Sequence, residues 1–193
     1  MTHTQSLAEI AANLQGYDPQ SLPANDVLSF LSQMVTPMTA LEDVPIFEAL
    51  NRVIGVDVIS PINVPPHDNS AMDGYAFNGL QLQSQQPLNL KVVGTALAGK
   101  AWQGSVMTDE CVKIMTGAIL PDGLDTVVPQ EFCETHKTDD VTTITLPPNL
   151  LKPGDNRRLV GEDLAQGQAA LKMGQHLTPA ALGLIASLGL PSV

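Results

Sequence analysis

The sequence is poor in aromatic residues and in positive charge, and each shortage excludes a class of protein. Aromatic residues make up 4% of the 193 residues, so any core must be built from aliphatic side chains. Lysine and arginine number 9 against 20 acidic residues, and none precedes Arg52, so the chain would repel a phosphate backbone or an anionic membrane surface. We therefore expect no nucleic-acid partner and no membrane partner.

Long apolar runs and metal-binding motifs are also missing. No run reaches the length that a bilayer requires, and the first residues lack the basic and apolar segments of a signal peptide. Cys111 and Cys133 belong to no CxxC motif, and the four histidines are scattered without metal-ligand spacing. These features predict a soluble, cytoplasmic protein with two reduced thiols, of which Cys111 packs within a strand.

Turn-forming residues, in contrast, are abundant. Glycine and proline number 15 each in a chain that is 44% hydrophobic, which is typical of many short strands joined by turns. Apolar residues at helical spacing predict helices over residues 5–15 and 24–35. Residues 48–54 predict a further short helix, and Thr178 and Pro179 predict the N-cap and first turn of a final one.

Between these helical segments, apolar and polar residues alternate with the period of a strand. The alternation is clear over residues 88–92, 112–114 and 141–146, and the turn pairs Asn78-Gly79 and Asp122-Gly123 separate the runs. The sequence therefore predicts a β-rich domain over residues 68–152.

The least ordinary segment begins at Asp68 and reads DNSAMDGYA. Two shorter segments follow it in the chain, IMTGA from Ile114 and RRLVGED from Arg157. Taken singly, each has a purely structural reading. Asp73 next to a glycine is typical of a turn in which the carboxylate binds its own backbone, Thr116 is typical of a strand end, and the two arginines with Glu162 and Asp163 are typical of a solvated charge cluster.

Together and in this order, the three segments resemble the signature segments of the molybdopterin molybdenumtransferases, the MoeA and gephyrin E-domain family. The resemblance implies an α+β, β-rich fold with three parts: N-terminal helices over residues 1–35, a small discontinuous α/β unit from residues 36–67 and 153–193, and an inserted mainly-β domain over residues 68–152. It implies that this chain is the N-terminal two-domain portion, without the family's C-terminal α/β and β domains.

The family resemblance also implies a reaction. Such enzymes insert molybdate into adenylylated molybdopterin with release of AMP in a magnesium-dependent step. They work as homodimers whose active site combines this region with the α/β domain of the other subunit, so the fragment alone is expected to be inactive. Tungstate-handling relatives would share these segments, so the preferred metal stays open. The alternative function is a non-catalytic dimerisation or scaffolding module of the gephyrin type.

Site residues are carried over from the family to the matching positions of this sequence. The resemblance implies catalytic roles for Asp73, Thr116 and Asp163, substrate binding by Ser70, Gly117, Arg157 and Arg158, and magnesium binding by Asp73, Asp163 and Glu162. Guanidinium groups suit phosphate and oxyanions, and carboxylate oxygens suit magnesium. Leu159 departs from the pattern, because the family often carries a third basic residue there.

Overall fold

The computed structural model describes residues 24–36, 38–83 and 85–193, and the described part of the first of its two units contains helix α1 (Ala24–Met34). The units divide between Asp43 and Val44. Helix α1 confirms the helix predicted over residues 24–35, and the apolar residues Leu28, Leu31 and Met34 on it are exposed. The helix predicted over residues 5–15 lies outside the described residues.

The second unit is built mainly of short strands. Its strands are β1 (Val58–Ile59), β2 (Asn69–Ser70), β3 (Gly74–Phe77), β4 (Leu88–Ala96), β5 (Glu110–Ile114), β6 (Thr126–Pro129), β7 (Glu134–Thr138), β8 (Val141–Leu146), β9 (Arg157–Arg158) and β10 (Ala169–Leu171). Helix α2 (Pro179–Ser187) follows, and three 3₁₀ helices lie at Ile46–Glu48, Gly79–Gln81 and Gln130–Phe132.

Six strands form one mixed sheet in the order β6-β3-β5-β4-β8-β7. Only the β4 and β5 neighbours are parallel, and the other pairs in this sheet are antiparallel. Alternate residues point to opposite faces, so Cys111 and Tyr75 pack in one core while Val112 and Ala76 pack in the other. Burial of both faces explains why neither β3 nor β6 contains a charged residue.

The predicted place of Cys111, in the core of a strand, is confirmed by its full burial in β5. Both thiols of the chain are free. Burial raises the pKa of the Cys111 thiol to about 12 and that of the Cys133 thiol to about 11. Both sulfur atoms therefore stay protonated and serve as core atoms near neutral pH.

The chain before the sheet pairs with the chain after it. Strand β1 is antiparallel to β10, the Val44 N–H donates to Val193 O at 2.7 Å, and the Ile54 N–H donates to Gln175 O at 2.9 Å. Helix α2 covers this ladder with Ala181 and Ile185, which share a core with Val44, Ala49, Ile54 and Leu177. The boundaries proposed for this discontinuous unit stay a prediction.

One local prediction in this region is wrong. Residues 48–54 do not form a helix: the 3₁₀ helix ends at Glu48, and Asn51 has a φ of 66°, which no α-helix contains. The apolar residues there instead alternate between the core and the surface, since Ala49 and Ile54 are buried while Leu50 and Val53 are exposed. The Asn51 N–H donates to Leu177 O, so pairing with the distant chain replaces helical hydrogen bonds.

The last helix forms where it was predicted. The Thr178 side chain accepts a hydrogen bond from the Ala181 N–H at 3.3 Å, and proline occupies the first turn of α2. With two α-helices and ten strands in the described residues, the α+β, β-rich fold class is confirmed. Across the same part of the chain, no helix has the length and apolar character to cross a membrane.

Replacing Gly74 with alanine is expected to lower the free energy of unfolding by at least about 2 kcal/mol, because no space exists for a methyl group. A Cβ atom there would lie 2.8 Å from the Val128 carbonyl carbon and 3.0 Å from Pro129 Cα, both in the backbone of β6. Urea unfolding of the two proteins would measure the change.

The matched control is Gly183→Ala in helix α2, where a Cβ atom would meet nothing within 4 Å. This change should raise the free energy of unfolding by about 0.5–1 kcal/mol, because alanine loses less backbone entropy in a helix. Equal effects of the two substitutions would contradict the tight β3–β6 packing.

Candidate functional site

Asp73 and Thr116 meet where two antiparallel strands end. Asp73 immediately precedes β3, and Thr116 follows β5 by two residues, in a sheet where Gly74 lies opposite Ile114. Asp73 Oδ1 accepts hydrogen bonds from the Thr116 N–H and from Thr116 Oγ1, both at 2.7 Å. Two residues that are 43 positions apart in the chain therefore form one hydrogen-bonded pair.

The pair holds an ionised carboxylate at the surface. The backbone N–H and then the hydroxyl of Thr116 lower the pKa of Asp73, and the positive charge of Lys113 lowers it further. Thr116 is exposed and Asp73 is partly exposed. Among the described residues, none donates a hydrogen bond to Asp73 Oδ2. That oxygen is therefore available to a ligand from solution.

Ser70 and Gly117 join this pair to strand β2. The Gly117 N–H donates to Ser70 O at 2.8 Å, and the Ser70 N–H donates to Ala118 O at 3.0 Å. Gly117 has a φ of 77°, a conformation that favours glycine. The N–H groups of Thr116 and Gly117 both donate hydrogen bonds to acceptors within the chain, so they do not point at an open anion site. Ser70 is fully buried, and its hydroxyl donates to Met72 O, so Ser70 supports the loop instead of reaching a substrate.

Arg157 lies across β2 from the Asp73 pair. Strands β2 and β9 are antiparallel, with Ser70 opposite Arg157. The Arg157 Nε–H donates to Asp68 Oδ2 at 2.8 Å, and Arg157 Nη2 contacts the same oxygen. The Val160 N–H donates to Asp68 Oδ1 at 2.7 Å and is the main reason that the pKa of Asp68 is lowered, with Arg157 contributing in the same direction.

Arg158 binds two carboxylates. Its Nε–H donates to Glu162 Oε1 and its Nη2 donates to Asp163 Oδ2, both at 2.6 Å. The second Glu162 oxygen accepts from the Leu159 N–H at 2.7 Å. Arg158 is the largest cause of the lowered pKa of Glu162, and the two carboxylates raise the pKa of Arg158. The turn after β9 is thus closed by charge-assisted hydrogen bonds.

Strand β2 connects all the predicted site residues into one hydrogen-bonded network. On one side of β2 lies the segment with Thr116 and Gly117, to which Asp73 is hydrogen-bonded. On the other side, β2 pairs with Arg157 and Arg158 of β9. Asp163 joins the network through Arg158 rather than through Asp73. The structure therefore brings Asp73 and Thr116 into direct contact, and it links Asp163 to them only indirectly.

Two charged residues in or beside the network were not predicted. Asp68 stands at the start of the DNSAMDGYA segment, and its negative charge in a segment named as part of the site was a usable signal, although its pairing with Arg157 was not. Lys113 lies three positions before Thr116, in a strand otherwise rich in buried apolar residues. A cation at that position was a second signal.

The implied magnesium ion fits only part of the predicted ligand set. Within residues 24–36, 38–83 and 85–193, no group of three or more Asp, Glu, His or Cys side chains is arranged to hold a metal ion. Both Glu162 oxygens are already bound, whereas Asp73 keeps one oxygen without a hydrogen bond. Magnesium commonly binds through one or two carboxylates with water and substrate phosphate, so Asp73 suits it best.

Comparison with known proteins gives a consistent set of matches. The family model for the MoeA N-terminal region, domains I and II, matches residues 22–189. The chain is 44% identical over 163 residues to the molybdopterin molybdenumtransferase of Haemophilus influenzae, covering 84% of this chain and 39% of that protein. It is 39% identical over 150 residues to molybdopterin molybdenumtransferase 2 of Mycobacterium tuberculosis, covering 76% of this chain and 36% of that protein.

A solved structure matches as well. The molybdopterin biosynthesis MoeA protein from Pyrococcus horikoshii OT3 superposes with a TM-score of 0.74 and 28% sequence identity, covering 89% of this chain and 44% of that chain. The present chain thus spans about two fifths of the length of the relatives that it matches.

Because the pKa values of three carboxylates in the network are lowered, we expect the protein to lose stability in acid. The pKa values of Asp68, Asp73 and Glu162 lie below their ordinary values of 3.8, 3.8 and 4.5, so the unfolded chain binds more protons at low pH. The stability they contribute should be complete above about pH 5 and be lost as the pH falls below about 4. Urea unfolding at a series of pH values would measure it.

Asp68→Asn should flatten this acid dependence, because the amide keeps an acceptor for the Val160 N–H but loses the charge that faces Arg157. Asp139→Asn, in the exposed turn between β7 and β8, is the matched control and should leave the dependence unchanged. An Asp68→Asn profile parallel to that of the unmodified chain would contradict the assignment.

Proposed function

We propose, because this chain belongs to the MoeA N-terminal region family, that it is the N-terminal part of a cytoplasmic molybdopterin molybdenumtransferase. The complete enzyme would insert molybdate into adenylylated molybdopterin and release AMP. The observation that carries this proposal is the Asp73–Thr116 pair, an ionised and accessible carboxylate fixed by two hydrogen bonds.

The pair suits a reaction among anions in two ways. Preorganised charge accelerates a reaction most when it is held in place before the substrate arrives. Thr116 holds one carboxylate oxygen of Asp73 and leaves the other without a hydrogen bond from the described residues. The carboxylate is therefore already in place when a substrate binds. A bound magnesium ion would supply positive charge for the phosphate oxygens, and Asp73 would be its ligand from this chain.

Arg158, Glu162 and Asp163 take a supporting role in this proposal. Their mutual ion pairs stiffen the turn after β9, which pairs with β2 and thereby adjoins the Asp73 segment. Asp163 retains one oxygen without a hydrogen bond from the described residues and remains a second candidate ligand for substrate or magnesium.

The site on this chain would be incomplete by itself. The chain spans about two fifths of the relatives' length, and we propose that the rest of a complete enzyme adds α/β and β domains. In a homodimer, the α/β domain of one subunit would face the Asp73 segment of the other. Exposed apolar side chains on the second unit, Phe47 and Val53 among them, are suited to such contacts.

A scaffolding module of the gephyrin type is the second candidate function. The same exposed apolar side chains favour it, because a scaffold also needs protein contacts. A scaffold does not, however, require an accessible carboxylate held by two hydrogen bonds. Activity measurements on Asp73 therefore separate the two functions.

In the complete protein, Asp73→Asn is expected to lower the rate of molybdenum insertion on the order of 10²-fold or more, because it removes a preorganised charge. The amide oxygen can still accept the Thr116 hydrogen bonds, so folding should be almost unaffected. The insertion rate and the thermal midpoint are measured together, with Asp139→Asn as the control for charge. Near-normal activity with a normal thermal unfolding midpoint would show that Asp73 only forms a turn.

The 193-residue chain alone is expected to give no measurable molybdenum insertion, because reactants that are bound on one side only are not oriented for reaction. The assay uses purified chain, free of any full-length enzyme. Turnover by the chain alone would show that the whole active site lies within it.

A further inference from the structure

The two arginines predicted to bind substrate already form ion pairs with carboxylates of the same chain. Arg157 is paired with Asp68, and Arg158 is paired with both Glu162 and Asp163. An arginine that already faces one or two carboxylates has little net charge left to attract an anion. An oxyanion at this site therefore needs a different cation.

Lys113 is a cation that forms no ion pair with the carboxylates of the network. It lies in β5, and among the described residues no carboxylate lies within ion-pair distance of its ammonium group. Lys113 is partly buried rather than fully exposed, as expected for a long side chain that lies along the sheet surface. Its charge is accordingly available to a ligand.

The register of the sheet places Lys113 diagonal to Asp73. Lys113 lies opposite Tyr75 in the neighbouring strand. The residues on either side of Lys113 in the chain that belong to the sheet, Val112 and Ile114, pack in the core on the opposite face from Tyr75. Asp73 directly precedes β3 and lies two residues before Tyr75, so its position is diagonal to Lys113 at the end of the sheet. Diagonal positions of this kind are about 7–8 Å apart, so the long Lys113 side chain can reach a small anion that lies beside the Asp73–Thr116 pair.

The electrostatics agree with this placement. Lys113 helps to lower the pKa of Asp73 although the two make no hydrogen bond, so the ammonium group lies near the pair without being neutralised by it. The end of the sheet thus carries a cation, a hydroxyl from Thr116 and one carboxylate oxygen, which together suit an oxyanion accompanied by a metal ion.

We propose that Lys113, rather than Arg157 or Arg158, supplies the positive charge that binds a tetrahedral oxyanion beside Asp73 and Thr116. The oxyanion is either molybdate or a phosphate group of the nucleotide substrate, and only this identity rests on the proposed function. Arg157 and Arg158 are then positioning residues, which hold β9 and its turn against β2.

The test measures anion binding directly and needs no enzyme activity. The isotope-labelled chain is titrated separately with sodium molybdate and with sodium phosphate, while chloride keeps the ionic strength constant. Amide signals of Thr116 and Gly117 report binding at the site, and signals from β7 and β8 report the fold. If only molybdate gives saturable shifts, molybdate is the ligand. If phosphate gives saturable shifts as well, the site also accepts a phosphate group.

Lys113→Met should weaken this binding on the order of tenfold, because it removes one charge-assisted hydrogen bond. Lys113→Arg should restore most of the affinity, since it keeps the charge. The matched control is Lys137→Met in β7, at the far edge of the sheet, which removes the same charge and should leave binding unchanged. If Lys113→Met unfolds the chain, Lys113→Gln takes its place.

Two results would overturn the inference. The first is an absence of saturable shifts at Thr116 and Gly117 in the unmodified chain. The second is equal affinity of the Lys113→Met and Lys137→Met chains. The activity of Asp73→Asn in the complete protein is measured independently, so failure of the Lys113 assignment would leave the proposed function standing.

Discussion

The two-residue strand β2 is the constraint on which the site depends. Its backbone pairs with β9 on one side, and Asn69 bridges to Ile119 on the other, so one short segment holds both halves of the network. Ser70 is fully buried, and its hydroxyl donates to Met72 O at 2.6 Å, which fixes the turn that leads to Asp73. Without β2, the carboxylate of Asp73 and the arginines of β9 would belong to separate parts of the molecule.

Charge is distributed unequally across this network. Four carboxylates, from Asp68, Asp73, Glu162 and Asp163, surround two guanidinium groups, and three of the four are paired with them. The unpaired one is Asp73, whose partner is a neutral threonine. The network thus separates carboxylates that are held in ion pairs from one carboxylate, that of Asp73, which has no ion-pair partner among the described residues.

The sequence predicted those features that local pattern determines. The N-cap at Thr178 and the burial of Cys111 follow from residue type and alternation, and the structure confirms both. Residues 48–54 were assigned wrongly, because their hydrogen bonds go to a segment more than 100 positions later, which a local pattern cannot show. The same limit hid the ion pair of Arg157, whose partner Asp68 lies 89 positions earlier in the chain. The pairs of Arg158 with Glu162 and Asp163 are local, and they match the charge cluster that the sequence indicated.

The ion pair between Asp68 and Arg157 has a kinetic consequence. The two residues are 89 positions apart in the chain, whereas neighbouring strands such as β7 and β8 are joined by a tight turn. Contacts between distant segments form late in folding, because the chain must lose loop entropy before such contacts stabilise it. The sheet is therefore expected to form before this ion pair, and the half of the candidate site in which β9 pairs with β2 is expected to be among the last parts of the second unit to take shape.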